Sequence, residues 1–363
     1  MIYKVMNMKE KLKTVPEIIA IIIFALFCLT ESHAVKEGIY NALTRCIETI
    51  IPSLYAMMII SSVMTKSNFI SKISKYAGIY PVFIFSVFAG YPVGTKILCE
   101  QYRKGSITKK YAEIMSGICY GAGNAFINGC IAGKLYGGKM GNIILFSTVG
   151  ADIILLLVTV PFFKKYKNND DKKLNISFEL LNESIAESGK SMGIICLSVI
   201  FFSVLVKFME YTGFTVWAGD MISHITGRER GICINMIYTF MDITNAENLP
   251  KYDYTLLPFL SFVTALGGIC VLFQIKAVTR SDLSMIPIIL MRISASVLSA
   301  VICRIIMPYM ISGEAVYVSV NMSMHKAQSP VPSIMLILMT FFIFGENKKL
   351  YKTNKNNSGF LDF

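Results

Sequence analysis

Long apolar runs, one after another with only short charged stretches between them, constrain this chain more than any other feature. Runs of membrane-crossing character fall near residues 16–30, 50–65, 142–163, 191–209, 254–275, 284–306 and 330–345. A helix needs about 20 mostly apolar residues to cross a bilayer, fewer where neighbours shield it. A bilayer interior holds no water to satisfy backbone N–H and C=O groups, so such runs predict helices. Composition agrees: 54% of the residues are hydrophobic and only 16% charged, against about 25% charged in an average soluble domain. The expected fold class is all-α, a polytopic membrane bundle, and the lipid bilayer is its first expected partner.

The net charge of +12 raises the question of nucleic acid, and the distribution of the charge answers it. With the N-terminus inside, and two broken stretches each returning to the side they entered from, the inside segments are 1–15, 66–76, 103–110, 164–173, 276–280 and 346–363. These hold 22 of the 35 Lys and Arg. The outside segments hold eight: Lys36, Arg45, Lys134, Lys139, Arg228, Arg230, Lys251 and Lys326. Lys96, Lys190, Lys207, Arg292 and Arg304 lie near or within the membrane. The bias predicts an N-in, C-in topology and gives no soluble basic face for nucleic acid. The first run, 18–29, follows four lysines and lacks a small-residue cleavage site, so it reads as an uncleaved first helix or anchor. The nine cysteines show no CxxC or Cys/His spacing and read as packing residues rather than disulfides or metal ligands. The tail KTNKNNSGFLDF is expected to be disordered.

Three apolar stretches are interrupted. Gly, Pro, Asp and Asn break 79–102 and 231–252; Gly117, Gly121, Gly123 and Gly129 interrupt 110–133. Broken backbone at membrane depth survives only where protein or a water-filled cavity satisfies it. We read 79–102 and 231–252 as re-entrant hairpins, with two kinked helices as the alternative. A repeat then emerges: residues 34–163 form one copy and 176–309 another, joined by a cytoplasmic linker, 164–175. A membrane helix, 1–33, precedes the copies, and a C-terminal helix with a basic tail, 310–363, follows them. Each copy begins with an amphipathic helix (34–49 and 178–193). A spanning helix, a broken segment, a Gly-containing helix and a long spanning helix follow in each. The hairpins enter from opposite sides, so the copies are inverted, which is the signature of secondary transporters.

The interruptions carry the candidate chemistry. In AGYPVGTK (89–96), Gly90, Pro92 and Gly94 cannot sustain a regular helix. This first tip, which also carries Tyr91 and Thr95, would aim a helix N-terminus and Lys96 into one cavity, an anion-compatible arrangement. Lys96 snorkelling to the interface is the alternative. The second tip, MDITNAEN (241–248), clusters Asp242, Thr244, Asn245, Glu247 and Asn248; Asp242 and Asn245 lie deepest, while Glu247 and Asn248 also fit an ordinary loop. In GAGNAFIN (121–128), Asn124 and Asn128 share a helix face. The counterpart TALGGICVLFQ (264–274) offers Thr264, Gly267, Gly268 and Gln274, and a packing surface competes with a ligand role for both. Two charges, Asp152 and Arg292, occupy similar places in the two copies; they pair with each other, or Arg292 faces an anionic solute. No Walker loop, HExxH or GxSxG occurs, and His33, His224 and His325 fall in predicted loops. No enzyme activity, metal or cofactor is expected.

The run SVFAGYPVGTKILCEQYRKGSIT (86–108), with the Gly/Asn-rich segment after it, resembles the sporulation integral membrane protein family YlbJ. That family carries the nucleoside-recognition "Gate" domain. MDITNAENL and ALGGICVLFQIKAV are similar to the family's second conserved region, and the resemblance covers about 34–310. The family is remotely similar to concentrative nucleoside transporters, whose two hairpin tips and two unwound helices hold the solute. The resemblance implies that 89–96 and 242–248 are the tips and that GAGN and LGG are the unwound helices. The acidic element those transporters carry at the first tip is absent here. The resemblance further implies a role in spore formation, in a cell or spore membrane of a spore-forming bacterium, moving dipicolinic acid. Lys96, the hairpin dipole and Arg292 would suit that flat dianion.

Three readings follow. In the first, a transporter or facilitator of dipicolinate works by alternating access, with Asn124, Asp242 and Asn245 as polar contacts or as the site of a coupling cation. In the second, a nucleoside permease has no need of Lys96. In the third, a non-transporting membrane scaffold depends on loops such as 164–175.

Overall fold

A computed structural model describes residues 2–136, 140–163, 177–279 and 282–311. Among the described residues all regular structure is helical. The chain opens with α1 (Ile2–Thr30). Helix α2 (Ser32–Arg45) passes through a π turn, Cys46–Ile50, into α3 (Ile51–Lys66). Then come α4 (Phe69–Ala77), α5 (Tyr80–Ala89), α6 (Val93–Arg103) and α7 (Lys109–Ile118). The short α8 (Asn124–Phe126), a π segment, Ile127–Ala132, and α9 (Gly133–Tyr136) lead to α10 (Gly141–Thr159). The second half runs through α11 (Phe178–Tyr211), α12 (Phe214–Thr226), α13 (Arg230–Met241) and a 3-10 helix, Ile243–Asn248. It ends with α14 (Leu257–Leu266), α15 (Gly268–Thr279) and α16 (Met285–Ile311).

Five stretches are long and apolar enough to cross a membrane: Ser32–Lys66, Gly141–Phe162, Phe178–Tyr211, Tyr254–Thr279 and Met285–Ile311. Pro16–Thr30 and Tyr80–Ala89 are shorter apolar helices. Their outward faces are apolar too: Ile21, Leu157, Leu197, Ile286 and Leu290 all stand exposed. Apolar surface on that scale needs a cover, and the molecule is accordingly a membrane-embedded helical protein.

The two amphipathic helices do not stand apart from the spans that follow them. Ser32–Lys66 is one 35-residue rod and α11 one 34-residue rod, each about 50 Å long at 1.5 Å per residue. In the first rod Pro52 would be expected to break the helix, because a proline ring strikes the carbonyl four residues back. The π turn directly before it absorbs that conflict. In α11 no proline intervenes at all.

The two rods lie antiparallel. Glu37 pairs with Lys207 at 3.1 Å, Ser203 Oγ donates to Gly38 O, Tyr55 reaches Ile185 O and Lys66 pairs with Glu183 at 3.2 Å. Helices α10 and α16 are antiparallel as well: Cys303 sits beside Ser147, while Arg292 reaches Asp152. Ser261 and Ser299 hydroxyls join α14 to α16 at 2.6 Å.

The order long rod, short helix, interrupted segment, interrupted helix, long helix occurs twice. The two halves differ in detail: residues 93–103 form a regular helix after the first interruption, whereas after α13 the chain makes only two short 3-10 helices, Ile243–Asn248 and Tyr254–Leu256, before α14. Among the described residues the π segment Ile127–Ala132 has no counterpart in the second half. His33 and His224 are exposed but lie on α2 and α12 rather than in loops. The expected linker 164–175, the run 330–345, the tail, His325, Lys139 and Lys326 fall outside the described residues.

Polar contacts gather in two groups. One joins Lys66, Lys96, Glu183 and Glu187, with Arg103 on Asp282 at 2.7 Å and Ser284 N on Glu113 at 2.8 Å. The other joins Lys134 to Glu247, Arg228 to Asp253, and Tyr136 to Asp253 O. The first group holds residues whose loops read as inside, and the second those that read as outside.

Candidate functional site

Each interruption has a local cause. Helix α5 stops at Gly90 (φ +79°), and α6 starts after the Tyr91–Pro92 peptide. Between α7 and α8 the chain CYGAG (119–123) makes no regular helix. Helix α13 ends at Asp242, whose extended backbone lets Oδ1 accept from Thr244 N at 3.1 Å and cap the 3-10 helix. Between α14 and α15 Gly267 stands at φ +83°, a left-handed conformation that side chains resist.

These four interruptions meet. A Cβ on Gly121 would stand 2.7 Å from Ser86 O and 2.8 Å from Val87 Cα, so the break after α7 lies directly on α5. Gly94 is pressed against the Cys119 carbonyl in the same way. The Tyr91 ring lies 5.3 Å from Tyr120 and 6.1 Å from Phe126. Tyr120 Oη donates to Leu266 O at 3.0 Å, which joins the first broken helix to the second. Gly268 backs onto Phe240 O and Ile243 N, which brings in the end of α13.

Arg292 ties this assembly together from α16 and is fully buried. Its Nη1 donates to Asp152 Oδ1 at 2.8 Å and to Gly117 O at 2.6 Å. Nε and Nη2 both donate to Ala265 O, at 3.0 and 2.6 Å. The guanidinium also lies 4.5 Å over the Tyr120 ring. Gly117 and Ala265 belong to the last turns of α7 and α14, where carbonyls lack intrahelical partners. Arg292 therefore caps both broken helices at once, and its charge is met by Asp152. Of the two roles its sequence allowed, the geometry shows the pairing.

The remaining sequence-selected residues divide by place. Gly90, Tyr91, Pro92, Gly94 and Thr95 are buried at the first break, where Thr95 Oγ1 donates to Ser116 O at 3.4 Å. Asp242, Thr244 and Asn245 are buried at the second. Asn128 Nδ2 donates to Asn124 Oδ1 at 2.5 Å along one face, which leaves Asn128 Oδ1 without a partner among the described residues. Gln274 is buried further along α15 and donates to Cys270 Sγ. Lys96 lies apart from the meeting point: its ammonium pairs with Glu187 of α11 at 2.7 Å. Beside that pair opens a cleft of about 680 Å³ lined by Lys66, Glu100, Arg103, Lys104, Glu179 and Glu183 among others. Glu247 sits at the rim with Lys134 at 2.5 Å. Burial disfavours the Lys134 ammonium, but the bond to Glu247 outweighs it and raises the pKa above its ordinary value.

Several buried polar atoms on these elements have no hydrogen-bond partner among the described residues: Tyr91 Oη, Asn128 Oδ1, Asp242 Oδ2, Thr244 Oγ1 and Thr264 Oγ1. Buried polar groups are nearly always paired, but unpaired atoms also occur away from these elements, at Ser62, Ser74 and Ser184, so they do not by themselves mark a solute site. One participant escaped the sequence reading. Arg45, counted there as an outside charge, lies at the end of α2, and its Nη1 donates to Asn245 Oδ1. The adjoining π turn is the feature that could have flagged it, but a π turn has no sequence signature.

No family model, curated protein or solved structure matches the chain.

Proposed function

We propose that this protein is a secondary transporter or facilitator of a small anionic solute, working by alternating access between two inverted halves. One observation carries the reading: two broken helices, one from each half, are held together by Arg292 and Tyr120, and the other two interruptions pack against them through the Tyr91 ring and Gly268. Broken helices meeting at depth are expensive unless they build a solute site. The antiparallel course of the corresponding helices supports the inverted relation, because two copies related by an in-plane axis must run in opposite directions. The interrupted segments after α4 and α12 then serve as the re-entrant elements that enter from the two sides.

Lys96 supports the anionic class. It is held by Glu187 beside the cleft of about 680 Å³, where an arriving solute carboxylate would exchange with Glu187. The likeness to the YlbJ family makes dipicolinate the first solute to test. The test is uptake of dipicolinate and of uridine into proteoliposomes holding the purified protein, with Lys96→Ala alongside. Dipicolinate uptake that Lys96→Ala abolishes supports the reading. Uridine uptake indifferent to Lys96 replaces it with a nucleoside permease, and uptake of neither solute points to a scaffold.

A further inference from the structure

Arg45 and Asp242 are charges that face one another without joining. Arg45 ends α2 immediately before the π turn. Its Nη1 donates to Asn245 Oδ1 and its Nη2 to Ser203 Oγ at 3.3 Å. Its Nε is buried with no partner, and among the described residues Arg45 makes no ion pair. A guanidinium is built to grip a carboxylate with two parallel bonds; here a neutral amide oxygen occupies it. That amide is itself anchored, because Asn245 Nδ2 donates to Tyr238 O at 3.2 Å.

Asp242 is 1% exposed. Oδ1 takes the Thr244 N–H, the Thr244 hydroxyl stands alongside and interacts with the carboxylate, and Oδ2 makes no full hydrogen bond among the described residues. Arg45 lies within electrostatic reach of this carboxylate. The other titratable groups facing it are Cys46 of the π turn, Tyr91 of the first break, Cys130 of the π segment and Cys270 of α15. These are thiols and a phenol rather than charged groups. Glu247, on the 3-10 helix that Asp242 caps, is taken up by Lys134. Among the described residues, Asp242 is thus a buried carboxylate with no cation in direct contact, and Arg45 is a half-buried cation with no anion in direct contact.

We propose that Arg45 and Asp242 form a proton-coupled carboxylate site, which rests on the transport reading above. Asn245 holds the place of the solute on Arg45 in the closed form. When the segment 242–248 moves, a solute carboxylate replaces the Asn245 oxygen and takes the free Nε edge. A proton on Asp242 Oδ2 removes the negative charge that otherwise repels that solute, so anion and proton bind together and leave together. The charges balance without any covalent step: the proton comes from water on one side and returns to water on the other.

The test is titration calorimetry of the purified full-length protein with pyridine-2,6-dicarboxylate, across the neutral pH range. Buffers of different ionisation heat report the protons taken up per anion bound. Wild type should take up about one proton per anion, since one carboxylate is offered. Arg45→Gln should weaken binding roughly 10- to 100-fold, the worth of a charge-assisted bond, and Arg45→Lys should recover part of it. Asp242→Asn, which mimics the protonated acid, should bind with no proton uptake and a flat pH profile. Asn245→Ala, which removes the placeholder, should bind as tightly as wild type or tighter. An Arg45→Gln protein that binds like wild type, or an Asp242→Asn protein that still takes up a proton, overturns the site, as does wild type that binds nothing at any neutral pH. Coupled binding without flux in liposomes supports the site and sinks the transport reading instead.

Discussion

Arg292→Leu tests the knot on which the site is built. The substitution strips four donated bonds: one from Asp152, one from Gly117 O and two from Ala265 O. It leaves a carboxylate buried without its cation and two helix ends without caps. Breaking a buried pair by removing one partner costs about 3–5 kcal/mol. Asp152→Asn is a gentler change, because Nη1 keeps an oxygen acceptor and the carbonyl bonds remain, but it leaves the buried Arg292 charge without its counter-ion, so about 2–3 kcal/mol is expected. The double variant Asp152→Leu/Arg292→Leu should fall short of the sum, since neither charge is then left alone. At roughly 2 °C per kcal/mol for a chain of this size, Arg292→Leu should unfold about 6–10 °C below wild type. Seven of the nine free cysteines are buried, so a thiol-reactive fluorogenic dye reads unfolding in detergent directly. An Arg292→Leu protein within about 2 °C of wild type, or an Asp152→Asn protein that falls as far, refutes the argument.

Gly121→Ala should destabilise the protein by about 1–3 kcal/mol, the cost of overpacking, because its Cβ meets Ser86 O and Val87 Cα; the same dye assay measures it, and an unchanged melting temperature counts against the close packing of break on helix. Gly267→Ala adds left-handed strain of about 1–2 kcal/mol and crowds the Tyr120 hydroxyl, so it should lower uptake more than the equally small change Gly193→Ala, which has open space around it. An N-in, C-in arrangement predicts that Lys104→Cys reacts with an impermeant maleimide only after cells are opened, while Lys251→Cys reacts on intact cells. The opposite pattern inverts the topology and exchanges the two polar ends.

Much of this architecture was legible because membrane helices announce themselves by length and hydropathy. The runs 142–163, 254–275 and 284–306 correspond to Gly141–Phe162, Tyr254–Thr279 and Met285–Ile311. The interruptions were legible for a different reason: Gly90, Pro92, Gly267 and Gly268 have backbone preferences that act locally, so a reader needs no tertiary contact to place them. Helix continuity was not legible. An amphipathic segment and an apolar run look like two elements, and only packing against an antiparallel partner along the full length makes them one rod. The second arm expected in 231–252 is the opposite case: past Asn248 the chain forms no α-helix before α14, only the short 3-10 helix Tyr254–Leu256.

The same distinction separates the cations. Lys96 was conspicuous because it follows a proline–glycine break, yet it stands with Glu187 at the edge of a cleft. Arg45 was inconspicuous because an arginine on an amphipathic helix reads as a solvated charge. What gives it a different character is the rod. By carrying α2 straight into α3, the π turn holds Arg45 where Ser203 of α11 and Asn245 of the other half converge. An arginine that bridges the two halves through neutral partners alone lacks the carboxylate a guanidinium is built to grip. On the proposed mechanism, a guanidinium whose bonds strengthen when a carboxylate replaces an amide would give the solute a differential affinity for the rearranged state. That differential is what any ligand must supply to shift a conformational equilibrium, and Arg292, already paired with Asp152 and the two helix ends, has little left to offer. If the protein works as proposed, the coupling of solute to movement therefore falls on the cation with an unspent donor, at the contact between the first rod and the segment after α13.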